Sequence, residues 1–85
     1  MSRPPRILYF GKLTDVTGHT EETEQLPDTI TDTNALRQWA DGLHGNTGAL
    51  LEATIRIAID SEIVPEPSSL SGATEIAFMP PVGGG

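Results

Sequence analysis

The residues with the clearest chemical use stand at the end of the chain: Met79-Pro80-Pro81-Val82-Gly83-Gly84-Gly85. Glycines have no Cβ, so Gly83, Gly84 and Gly85 can thread a narrow tunnel that side chains would block. Threading would bring the terminal carboxylate of Gly85 against the active site of another protein. A carboxylate is a poor acyl donor until a leaving group is attached, and once activated it is an acyl electrophile. Ordering such a tail costs roughly 1–2 kcal/mol per residue, so a docking surface on the domain body must hold the complex together. Met79 and Val82 are the expected members of that surface, with Phe10 or Leu8 close by. Pro80 and Pro81 stiffen the exit into an extended path. A Gly-rich end taken alone is more often a frayed terminus. The rigid Pro-Pro junction with an apolar strand argues instead for a directed tail.

Other residue sets carry less. His19 and His44 are far apart in sequence, with no cysteine or third histidine to complete a metal site, so surface histidines are expected and no metal. Ser68, Ser69 and Ser71 have no histidine in a hydrolase-like arrangement. Glu21, Glu22 and Glu24 read as a solvated face that could steer a basic partner. Arg37 and Arg56 could dock the acidic neighbourhood or the partner, but read more simply as surface residues. The glycine run follows a strand but opens no helix, so it is not a phosphate loop.

The totals bound the function further. Eighty-five residues suit one domain with a modest core, and leave little room for an enclosed active site. That favours a carrier or binding module over a self-contained enzyme. There is no cysteine, so any sulfur the protein handles cannot sit on its own thiol. A formal net charge of -7 argues against nucleic-acid binding, which needs cations to replace phosphate counterions. It favours a basic docking surface on the partner. The basic opening Met1 to Arg6 precedes an apolar run too short for a signal-peptide core. No stretch reaches the roughly 20 apolar residues of a membrane helix. The cytoplasm is the expected location.

The tail needs a scaffold, and the pattern supplies one. Ile7 to Phe10 reads as a buried strand, with Leu13 and Val16 extending its packing and Thr17 to Thr20 as a turn. Glu21 to Leu26 reads as a more exposed strand completing a hairpin. Leu36, Trp39, Ala40 and Leu43 fall on one face of a helix. Asp32 is its expected N-cap, Gly45 its C-terminal stop and Trp39 its large core residue. A short helical turn is expected around Ala49 to Leu51. Thr54 to Ile59 alternates as a strand, and Asp60-Ser61-Glu62 turns it into Ile63-Val64. Glu75 to Met79 is the last strand, stopped by Pro80-Pro81. The predicted fold is α+β: a β-grasp with a mixed sheet of four to five strands on one main helix. The first and last strands should run parallel at its centre. The domain spans 1–81, and 82–85 is a flexible tail.

The segment from Glu75 to Gly85 closely resembles the C-terminus of the small subunit of molybdopterin synthase, in the ubiquitin-like MoaD/ThiS sulfur-carrier group. Ile7 to Gly11, Ala35-Leu36-Arg37 and Ile55 to Ile59 fall in the family's order. The resemblance implies a β-grasp carrier, not an enzyme by itself. It implies that Gly85 is adenylated by an E1-like activating enzyme using ATP, then converted to a thiocarboxylate. Gly84 matches the other member of the family's Gly-Gly pair. The sulfur would pass to precursor Z (cyclic pyranopterin monophosphate) in molybdenum cofactor biosynthesis, inside a heterotetramer with the large subunit. Gly83 stands where the family often has Ser or Thr, Asp60 where it often has Asn, and Met79 where an aromatic is common. Three alternatives share the pattern: a carrier for thiazole or another acceptor, a ubiquitin-like module whose tail is never activated, and a protein modifier acting through Gly85.

Overall fold

A computed structural model of the chain describes residues 4–23 and 25–81. The elements follow in the order β1 (Arg6–Tyr9), α1 (Leu13–Thr17), β2 (Glu21–Thr23), α2 (Thr33–Leu43), β3 (Arg56–Ile59), β4 (Glu62–Ile63) and β5 (Glu75–Met79). A 3-10 turn at Ala49–Leu51 lies between α2 and β3. The strands form one mixed sheet in the order β2-β1-β5-β3-β4. β1 and β5 run parallel at its centre, with Ile7 opposite Ile76 and Tyr9 opposite Phe78. The other neighbours are antiparallel. This is the β-grasp arrangement that the pattern predicts.

Strand alternation sends one side chain in two to the helix. Ile7, Tyr9, Ile57, Ile76 and Phe78 are buried with Leu36 and Ala40 of α2 and Leu50 of the 3-10 turn. Each such apolar side chain contributes about 1.5–3 kcal/mol by leaving water. Tyr9 and Phe78 stack across the parallel pair, with ring centroids 5.5 Å apart.

The ends of α2 are those expected. Asp32 Oδ1 accepts a hydrogen bond from the Ala35 backbone N–H at 2.8 Å, and Gly45 takes φ +96° just past the end. Its buried stripe is rotated from the expected one. Trp39 is only partly buried at the core's edge and Leu43 is exposed, while Arg37 and Asp41 are buried. The reason lies in the connection to β3, whose backbone needs partners. Arg37 donates to the carbonyls of Leu50 at 2.8 Å and Glu52 at 3.0 Å, and to that of Ile55. Its Nε and Nη2 each lie 2.7 Å from a carboxylate oxygen of Glu66. Asp41 accepts from the Gly48 N–H at 3.0 Å. The surface placement expected for Arg37 is therefore corrected: it is an interior clamp.

Three smaller differences follow from local chemistry. Residues 13–17 close a short helix ended by Gly18 at φ +77°. β2 spans Glu21–Thr23 and does not extend to Leu26, which packs against the core from a loop. β3 begins at Arg56, with Ile55 buried just before it.

Candidate functional site

The tail leaves from the middle of the sheet. β5 is hydrogen-bonded on both sides, to β1 and to β3, up to Met79. The Phe10 N–H continues the ladder by donating to the Phe78 carbonyl at 3.2 Å. Gly11 then turns the chain away at φ +57°, a left-handed conformation that favours glycine. Its bare Cα also makes room for the exit, since a Cβ there would sit 2.9 Å from Pro80 Cγ. The turn after β1 thus forms one wall of the path along which Pro80 leaves the domain.

The expected docking residues meet at this exit. Phe10 is 48 % exposed, and Met79 and Pro80 are half-buried beside it on the central strands. Alternation places Leu8, Ala77, Ala58 and Ile63 in one cross-strand row on the face opposite the helix, through the pairs Leu8–Ala77, Ala77–Ala58 and Ala58–Ile63. Ile63 is 52 % exposed at the end of that row. A shallow groove of about 330 Å³ runs past Arg56, Ile63, Met79, Pro80 and Pro81. On that face the apolar row lies between the Arg6, Glu21 and Glu75 charges at one end of the strands and Phe10, Met79 and Arg56 at the root of the tail. Val82, Gly83, Gly84 and Gly85 lie outside the described residues.

A larger groove, about 700 Å³, lies at the other end of the sheet between Pro4, Pro5, Leu26, Ile30 and Ser71. It brings together no acid–base pair and no nucleophile with a base.

The structure assembles one polar cluster that the sequence hides. Tyr9 Oη donates to Glu22 Oε1 at 2.7 Å, and His44 Nε2 lies 2.6 Å from the same oxygen. The His19 and His44 rings lie 5.8 Å apart. Burial disfavours the charged form of Glu22. The hydrogen bonds from Tyr9 and His44 and the nearby imidazoles outweigh it, so its pKa falls below the usual value. The expected solvated Glu22 and surface His44 are corrected by register. Glu22 pairs with Ile7, which turns it inward toward the end of α2. Only the hairpin register could have revealed this. Among the described residues, no group of three or more His, Asp or Glu is arranged to hold a metal ion.

Asp60 anchors the start of β5. Its carboxylate accepts from the Thr74 hydroxyl at 2.7 Å and from the Thr74 and Glu75 N–H groups at 3.0 and 2.9 Å. The Thr74 hydroxyl and these two amides hold its pKa below the ordinary range. An oxygen acceptor is what the position requires.

Comparison with known proteins matches the same architecture. A model of the ThiS family matches residues 7–85. A solved structure of a proposed molybdopterin converting factor, subunit 1, from Pyrococcus furiosus superposes with a TM-score of 0.76 at 21% identity, covering 95% of this chain and 100% of that one. SAMP1 from Haloferax volcanii superposes with a TM-score of 0.74 at 18% identity, covering 94% and 97%. No curated protein sequence matches. No helix among the described residues is long and apolar enough to cross a membrane.

Proposed function

The chain belongs to the ThiS family, and we propose that within it the protein is the sulfur-carrier subunit of a molybdopterin synthase. One observation carries the reading: the family match runs through Gly85, and the strand leading to it is the doubly hydrogen-bonded centre of the sheet. A firmly rooted strand ending in a side-chain-free segment suits delivery of a terminal carboxylate into another protein.

The chemistry follows from that carboxylate. An oxygen of the Gly85 carboxylate attacks the α-phosphorus of ATP in an E1-like partner. Pyrophosphate leaves with the broken P–O bond, giving an acyl adenylate. A hydrosulfide supplied by a donor then attacks the acyl carbon, AMP departs with the electron pair of the C–O bond, and the S–H proton is lost to solvent. The resulting thiocarboxylate is itself a sulfur nucleophile and needs no cysteine in this chain. In the large subunit its sulfur bonds to an electrophilic carbon of the pterin precursor as an oxygen substituent leaves that carbon. Water then attacks the acyl carbon, breaking the acyl C–S bond so that sulfur stays on the pterin and the carboxylate is restored. The body's part is positional. The apolar outer face around Phe10, Met79 and Pro80 binds the partner, and the strand direction aims the tail. We place these steps in the cytoplasm.

The Pro80-Pro81-Val82 segment ahead of the glycines and the chain length favour this acceptor over thiazole. The deciding experiment incubates the protein with its cognate activating enzyme, ATP and a sulfur donor, and takes the intact mass. A gain of about 16 Da, oxygen replaced by sulfur at an activated acyl carbon, supports the carrier. An unchanged mass rejects it in favour of a non-activated module. Adding the large subunit and pterin precursor then separates molybdopterin formation from other acceptors.

A further inference from the structure

The cations of this acidic chain are unevenly used. Against twelve Asp and Glu there are five Lys and Arg. Among the described residues, Arg6 pairs with Glu75 and Glu21, and Arg37 pairs with Glu66. Lys12 and Arg56 make no ion pair with any described residue, and both are exposed. Asp15, nearest to Lys12 in sequence, and Glu52 and Asp60, equally near to Arg56, are not salt-bridged to them.

These two unpaired cations among the described residues stand beside the tail root. Lys12 follows Gly11, the residue over which Pro80 packs. Arg56 is the cross-strand partner of Met79 and lines the groove beside Pro80 and Pro81. One therefore flanks the exit from the β1 side and the other from the β3 side. With twelve carboxylates available, pairing either cation would need only a nearby acid.

We propose that Lys12 and Arg56 form a two-cation collar that docks on a carboxylate-lined rim around the channel receiving the tail, in a protein partner that activates it. The four residues from Val82 to Gly85 span about 14 Å when fully extended, so the collar meets the channel mouth while the carboxylate reaches the reacting centre. The collar also orients the encounter. An acidic rim attracts this acidic chain only through Lys12 and Arg56, a local exception to the basic partner surface that the net charge favours elsewhere. A positioning role of this kind acts on capture and leaves the chemical step alone.

The proposal rests on the carrier reading and is tested with the full chain. Pyrophosphate release by the cognate activating enzyme is measured against chain concentration at several salt levels. The collar variant is K12Q/R56Q. A charge-matched control, Q25E/Q38E, changes net charge equally at exposed positions away from the exit. Equal thermal melts establish that both fold. The collar variant is expected to raise KM about tenfold at low salt with kcat unchanged. The difference should vanish near 1 M salt, where the Debye length is about 3 Å. The control should match wild type. Equal KM for collar variant and wild type overturns the collar, as does a control shifted just as far. A wild-type chain that releases no pyrophosphate overturns the carrier reading itself, and the collar with it.

Discussion

Glu22 Oε1 lies 2.6 Å from His44 Nε2, which ties the edge strand β2 to the end of α2 across the helix-facing side of the sheet. Because the folded pKa of Glu22 is depressed below its reference of 4.5, its contribution to stability is full above that pH. It is lost as pH falls through the lower, folded value. Glu22→Gln should therefore melt below wild type at neutral pH, and the gap should close as pH drops under about 4.5. Thermal melts from pH 7 to pH 3 test this, and a gap that widens in acid contradicts it.

Gly11 carries both a positive φ and the close approach of Pro80. Gly11→Ala should destabilise by about 1–2 kcal/mol, since a left-handed L residue is strained and its Cβ would push Pro80. Chemical denaturation gives the first quantity. Because the displaced segment is the root of the tail, sulfur loading should slow even where the variant is fully folded.

Arg37 uses the geometry of its fork as well as its charge. Arg37→Met leaves the Glu66 carboxylate and three carbonyls without their donor, and should cost about 3 kcal/mol. Arg37→Lys should recover only part of this, because an ammonium cannot make the same planar, divergent contacts. Urea unfolding of the two variants beside wild type distinguishes the fork from the charge.

Asp60 acts as an acceptor for the start of β5. Asp60→Asn keeps an oxygen for the Thr74 and Glu75 amides and should melt close to wild type. Asp60→Ala should melt clearly lower. Equal melting of the alanine and asparagine variants would show that the side-chain oxygen does not matter.

Removing Gly85 should abolish thiocarboxylate formation and leave the melting curve unchanged. The core residues Ile7, Tyr9, Leu36, Ile57, Ile76 and Phe78 all lie well before it. Intact mass and circular dichroism of the same sample separate the two effects.

The order of elements was legible because alternation and turn chemistry are local. Asp60 and Ser61 illustrate this: both take positive φ, as a two-residue hairpin turn requires. The parallel placement of β1 and β5 could be read from their shared apolar character. What stayed hidden depends on distant partners. Leu36, Trp39, Ala40 and Leu43 gave a sound helix but a rotated face, because Arg37 and Asp41 turn inward to meet backbone far along the chain. Glu22 and His44 looked like solvent residues until register joined them. The helix at 13–17 is too short, and too rich in threonine and valine, for a strong local signal. At the exit, Phe10, Met79 and Pro80 were legible as a group, and the structure adds Gly11 as the residue that lets Pro80 pass.

The parallel pairing of β1 with β5 has a mechanical consequence. Traction on the segment beyond Pro81 runs along β5, so it loads the rungs to β1 and β3 in shear, many at once. It cannot peel them apart one by one, as it would at an edge strand. A partner can therefore grip, reel in and let go of this terminus through repeated rounds of loading without unravelling the body that bears it.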